Sequence, residues 1–178
     1  MNFKSSVFIL PGLGNSGEQH WQSLWEKQFY FKRIQQKEWN TPICEEWIKT
    51  IDETVCQYQL DNVILIGHSL ACTTIAYWAA KYNRKIKGAL LVAPSDTEAP
   101  TYPAGTSGFT PIPLQRLPFK TIVVASSADD YVTLERATLF ATRWGSRFEN
   151  IGPAGHINVA AGFGQWDEGI AFLRQLDS

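Results

Sequence analysis

The chain has 178 residues, 44% hydrophobic and 19% charged, which suits one packed domain and excludes a disordered chain. Sixteen Lys and Arg against 17 Asp and Glu leave a net charge of −1, without the basic footprint that nucleic-acid binding needs. No apolar run is long enough to span a membrane, and Met1–Ser6 leads into an apolar strand without a signal-peptide layout.

Ser6–Leu10 predicts the first strand, and Trp21–Phe29 the first helix, with Ser16-Gly17-Glu18-Gln19 as its capping box. Arg33–Trp39 is a more polar strand, placed near a sheet edge. Thr41 and Pro42 read as an N-cap and first helical residue, and Trp47, Ile51, Val55 and Tyr58 recur at helical spacing after them. Val63–Ile66 is apolar throughout, as in a strand buried on both faces. Leu70–Lys81 is rich in alanine and free of glycine and proline, so it predicts a buried helix. Lys81, Arg84, Lys85 and Lys87 then mark a solvated helix end. Ile86–Ala93 and Thr121–Ala125 are the fourth and fifth strands. Thr133–Trp144 is a helix stopped by Gly145. Arg147–Ile151 is a short strand, and Gln165–Leu176 the last helix. This alternation predicts a single α/β domain over residues 1–178, with a mostly parallel sheet of about six strands and helices on both faces.

One segment breaks the rhythm. Residues 94–118 hold six of the nine prolines, in a loop that leaves the C-terminal end of a strand. Ligands bind at such strand ends in open α/β sheets. The loop is too short for a lid domain. Tyr102 and Phe109 on it either line a substrate pocket or pack the loop down.

The chemistry centres on Gly67-His68-Ser69-Leu70-Ala71, which follows the buried strand and precedes the buried helix. A sharp strand-to-helix turn with small flanking residues presents a serine at its apex, as in the nucleophile elbow of α/β-hydrolases. The alternative is an ordinary turn with an N-cap serine. A pentapeptide of this kind arises by chance in roughly one chain in eight of this length, so its partners decide. A serine nucleophile needs a base and a group to orient the base. His156, in Gly155-His156-Ile157-Asn158, is the one histidine after Ser69. His68 points away from Ser69 in a sharp turn. The fifth strand opens into Asp129-Asp130-Tyr131-Val132, where the D-x-x-V spacing favours Asp129 as the orienting acid. Asp130 is the alternative, and Asp96 a more distant one. The backbone N–H of Leu70 and that of Leu13, in the turn Pro11-Gly12-Leu13-Gly14-Asn15, are placed to hold an oxyanion. That turn lacks the lysine and Ser/Thr of a phosphate loop.

These motifs together resemble the small serine hydrolases of the YdeN and retinoblastoma-binding protein 9 type. The resemblance spans nearly the whole chain. It rests on Leu10-Pro11-Gly12-Leu13-Gly14, His20-Trp21, Gly67-His68-Ser69-Leu70 and Val92-Ala93-Pro94. It continues through Asp129-Asp130-Tyr131-Val132, Gly155-His156-Ile157-Asn158 and Gly162-Phe163-Gly164-Gln165-Trp166. It implies a compact α/β-hydrolase fold without a lid and a Ser-His-Asp triad, carried here by Ser69, His156 and Asp129. Ala71 stands where the family commonly has glycine, and Asp130 where it has proline. His20, Trp21 and Tyr131 join Tyr102 and Phe109 as pocket candidates.

The expectation is therefore a hydrolase acting on a small-molecule carboxylic ester or related acyl substrate, with no cofactor and no metal. A protein-binding module on a hydrolase scaffold, using exposed aromatics such as Trp21, Tyr102 and Phe109, is the second reading. A nucleic-acid or membrane partner is not expected, and the sequence does not reveal whether there is a protein partner. Three cysteines (Cys44, Cys56 and Cys72) without C-x-x-C spacing point to reduced thiols and a cytoplasmic location.

Overall fold

Apolar runs that alternate between two helix layers dictate the architecture. In the computed structural model, which describes residues 3–178, six strands form one sheet in the order β2-β1-β3-β4-β5-β6. The strands are β1 (Ser6–Leu10), β2 (Lys32–Arg33), β3 (Val63–His68), β4 (Gly88–Val92), β5 (Lys120–Ala125) and β6 (Arg147–Asn150). Every neighbouring pair is parallel. The helices are α1 (Trp21–Phe29), α2 (Cys44–Val55), α3 (Leu70–Tyr82), α4 (Leu134–Trp144) and α5 (Asp167–Asp177). Met1 and Asn2 of the N-terminal stretch lie outside the described residues. Among the described residues, no helix is long and apolar enough to cross a membrane.

Strand side chains alternate between faces, so a strand covered on both sides must be apolar at every position. Phe8, Val63, Leu65, Leu91 and Val123 pack in a core with residues of α2, α3 and α4. Val7, Ile9, Ile64, Ile66, Leu90 and Val124 pack in a second core with Trp21 and Trp25 of α1 and Leu173 of α5. One sheet thus supports two cores, and this explains why β3 reads as an unbroken hydrophobic run.

Local chemistry differs from expectation at several element ends. The capping box is not used. His20 caps α1, its Nδ1 accepting from the Gln22 N–H, while the Ser16 hydroxyl donates to Gln22 Oε1. Helix α2 starts at Cys44 after an Ile43 N-cap rather than at Pro42, and Tyr58 lies beyond its end. The polar edge strand spans only Lys32–Arg33, since an edge strand needs no second ladder to hold it. Thr133 and Gly145 cap α4 as expected.

Register sets the site. Leu10 pairs with Gly67, His68 with Val92, Val92 with Val124, and Ala125 with Asn150. The C-terminal ends of β1, β3, β4, β5 and β6 therefore lie level, and their loops emerge side by side. Sheet order reverses between β1 and β3, where ligand crevices form in open α/β sheets.

Candidate active site

Ser69 sits between β3 and α3 at φ 59° and ψ −124°, a backbone region that non-glycine residues rarely adopt. Holding it there costs on the order of 1–3 kcal/mol, which the surrounding packing must offset. Close neighbours make room for the turn. A Cβ on Gly67 would lie 3.2 Å from the Ala71 carbonyl carbon, and one on Gly12 would lie 2.8 Å from Ser69 Cβ and 2.9 Å from the His68 carbonyl oxygen. The turn after β1 is thus pressed against the serine turn. Neither the Leu13 nor the Leu70 N–H is engaged in a turn or loop hydrogen bond. Leu13 borders the cavity above Ser69.

Ser69 Oγ is 2.9 Å from His156 Nε2, and His156 Nδ1 is 2.9 and 2.8 Å from the two carboxylate oxygens of Asp129. The Asp129 side chain is fully buried. A carboxylate only accepts, so the imidazole proton is on Nδ1 and Nε2 is left bare to accept from the serine hydroxyl. The Tyr131 N–H also donates to Asp129 Oδ1, at 2.9 Å, which keeps the carboxylate aimed. Neighbouring Asp130 is exposed. Asp96 is held elsewhere, accepting two hydrogen bonds from Arg136 at 2.7 and 2.9 Å.

The loop carrying His156 is fixed from below. The His68 Nε2–H donates to the His156 carbonyl at 2.9 Å, and the Trp21 indole N–H donates to the Ile157 carbonyl at 2.9 Å. Ile157, buried and β-branched, adopts φ 48° between these two anchors. Such a conformation is a strained one for a β-branched residue. All three histidines of the chain meet here, with ring centroids 4.9 Å apart from His20 to His68 and again from His68 to His156. Burial, with Arg33 and His156 adding to it, pushes His20 down to about 4, and burial holds His68 well below the usual imidazole range. Both rings are therefore neutral near pH 7.

Ser69, His20, Tyr102, Tyr131 and His156 all border one cavity of about 200 Å³. The exposed Tyr131 ring lies 4.5 Å from the His156 ring. Two pocket candidates lie elsewhere. Trp21 is buried beneath the site among Trp25 and Trp166, and Phe109 is buried against Trp47 and Tyr77. The proline-rich loop thus does two jobs: Phe109 and Thr97 anchor it, and Tyr102 and Pro103 wall the cavity. Ser95, which the sequence reading missed, places its hydroxyl 2.7 Å from Ser69 Oγ. Its position just beyond the C-terminal end of β4, the strand paired with β3, was the available signal. Asn15, Pro103 and Asn158 are further lining residues without a motif to announce them.

Among the described residues, no group of three His, Cys, Asp or Glu side chains could hold a metal ion. A wider depression of about 730 Å³ lies at the opposite, N-terminal ends of β5 and β6. It contains none of the candidate residues, and its size alone does not outweigh the chemistry assembled at Ser69.

Residues 7–175 match the family model for serine hydrolases. The fold is similar to that of a protein described as a YdeN-like hydrolase from Pectobacterium atrosepticum, with a TM-score of 0.84 and 31% identity. That likeness covers 97% of this chain and 90% of the other. The ydeN gene product of B. subtilis gives a TM-score of 0.83 at 18% identity, over 97% of this chain and 98% of that one. A monoacylglycerol lipase from Paleococcus ferrophilus shares the fold at a TM-score of 0.71 and 14% identity, over 99% and 96% of the two chains. No curated protein matches the chain. With the family match running almost end to end and the YdeN-like structure covering nearly all of the chain at 31% identity, the chain belongs to the serine hydrolase family.

Proposed function

We propose that the protein hydrolyses carboxylic esters or related acyl compounds through an acyl-serine intermediate. The observation that carries this reading is the unbroken hydrogen-bond chain from Ser69 Oγ through His156 to the buried Asp129 carboxylate. Ser69 Oγ attacks the carbonyl carbon as its proton passes to His156 Nε2. Asp129 stabilises the imidazolium so formed, and the N–H groups of Leu13 and Leu70 receive the oxyanion. Collapse of the tetrahedral adduct breaks the bond to the leaving group, which takes the proton from Nε2 and departs. Water then gives a proton to the same nitrogen and attacks the acyl carbon. The second collapse returns a proton to Ser69 and frees the acid. The proton transfers use Ser69, His156 and Asp129, which are already within hydrogen-bond reach of one another, and the cycle calls for no metal or organic cofactor.

A fluorophosphonate probe tests the assignment. The wild-type protein labels and Ser69→Ala does not; labelling that persists in the variant refutes Ser69 as nucleophile. A binding role on a hydrolase scaffold would use exposed aromatic anchors. Trp21 and Phe109 are buried, so that reading loses two of its three named anchors. The free thiols of Cys44, Cys56 and Cys72 support a cytoplasmic location, and the proposal includes it.

A further inference from the structure

We infer that the substrate carries a short, uncharged acyl group, an inference that rests on the hydrolytic reading above. The cavity at Ser69, about 200 Å³, falls below the ~300–1,000 Å³ of pockets that engulf drug-sized ligands. None of its described lining residues is Asp, Glu, Lys or Arg. His20 and His68, which could supply positive charge, are held neutral by burial. A charged acyl substituent would enter with no oppositely charged side chain among the described lining residues, at a cost of several kcal/mol. A long alkyl chain would outrun a cavity of this size and meet a wall only half apolar, because Asn15, Ser95, Tyr102 and Asn158 bring polar groups to the lining. It would forgo much of the ~0.8 kcal/mol that each methylene gains on apolar burial. The leaving group is treated differently. His156 must protonate it, so it lies at the His156 and Tyr131 border of the same cavity, where the exposed Tyr131 ring leaves that end open to solvent. The site is thus selective for the acyl part and tolerant of the alcohol part.

The test is the series of p-nitrophenyl acetate, butyrate, octanoate and decanoate. It adds 3,3-dimethylbutyrate beside its charged isostere trimethylammonioacetate, each read as rate enhancement over spontaneous hydrolysis. Acetate and butyrate are expected to exceed octanoate at least tenfold in kcat/KM, and the neutral isostere to exceed the charged one at least tenfold. Tyr102→Ala is expected to raise octanoate relative to butyrate. Octanoate turned over as well as butyrate, or the charged isostere as well as the neutral one, overturns the inference. Fluorophosphonate labelling separates the two levels: labelling with a flat chain-length profile sinks only the acyl preference, while no labelling sinks the hydrolytic reading beneath it.

A separate observation assigns Ser95 a catalytic role. Its hydroxyl is buried and lies 2.7 Å from Ser69 Oγ. The single Ser69 hydroxyl proton points to the bare His156 Nε2, so the bond between the two serines must run from the Ser95 O–H to Ser69 Oγ. That oxygen gains negative charge twice, as it loses its proton in acylation and as the ester bond breaks in deacylation. A donor already aimed at it lowers both barriers. Ser95→Ala is expected to lower kcat on p-nitrophenyl acetate about 10- to 100-fold, with KM and melting temperature little changed, and Ser95→Thr to restore most of it. A Ser95→Ala kcat within twofold of wild type overturns the assignment, and so does a Ser95→Thr variant that folds yet stays as slow as Ser95→Ala.

Discussion

Mild acid is expected to destabilise this protein, because His20 is buried in neutral form. Its pKa is about 4 against 6.5 for a free imidazole. The unfolded chain therefore takes up a proton in a range where the folded chain refuses it. The stability contributed by neutral His20 is intact above the unfolded value, declines as pH falls from about 6.5 to about 4, and is fully lost below that. The slope inside that window is about 1.4 kcal/mol per pH unit, and the whole gap amounts to about 3 kcal/mol. Burial shifts His68 in the same direction and adds to the loss. The carboxylates of Asp52 and Asp177, both held below their usual value, lose stability only at lower pH. Urea unfolding followed by fluorescence of the seven tryptophans, at pH values from about 7 to 4, measures the profile. His20→Asn isolates the term, since asparagine keeps a side-chain acceptor at the α1 N-cap. The wild-type curve should fall more steeply than the variant's, the difference reaching about 3 kcal/mol near pH 4. Parallel profiles would refute the account of His20 as a buried neutral ring.

Three further outcomes follow from the site geometry. Gly12→Ala drives a Cβ to 2.8 Å from Ser69 Cβ and 2.9 Å from a backbone oxygen, so kcat/KM should drop at least 100-fold and thermal melting should fall. Asp129→Asn should lose on the order of 10⁴ in kcat, because an amide can stabilise the wrong imidazole tautomer; Asp130→Asn, tested beside it on p-nitrophenyl acetate, should stay within a few-fold of wild type. Trp21→Phe leaves the buried Ile157 carbonyl without its donor. It should cost about 1–3 kcal/mol in urea unfolding and lower kcat more than KM, since the His156 loop loses one of its two anchors.

Much of the sheet was legible because burial on both faces leaves a local trace. β1, β3 and β5 read as apolar runs, and each gap between strands matched a helix except the one between β4 and β5, which the proline-rich loop fills as expected. The edge was harder to read. Lys32–Arg33 pairs on one side only, so little in its sequence is constrained, and the expected strand there was too long. Helix α1 was read with its observed bounds but with the wrong cap, and the start of α2 was misplaced. A histidine ring nitrogen caps α1 and Ile43 precedes α2, and neither residue type advertises a helix end.

By itself the sequence determined the layered α/β fold, the turn that holds Ser69, and the chain order in which the candidate acid and the candidate base follow it. These are local matters, set by periodicity and by small residues at a tight turn. Tertiary structure alone decided which groups meet. Strand register brings five loop mouths to one level. At that level Asp129 rather than Asp130 faces His156, Ser95 reaches Ser69, and His68 turns beneath the site to hold the His156 loop. It also decided that Trp21 and Phe109 serve the cores while Tyr102 and Tyr131 face the cavity. The physical reason is that an aromatic side chain looks the same in sequence whether its partner is another ring or a substrate. Only the register of distant strands settles which one it meets.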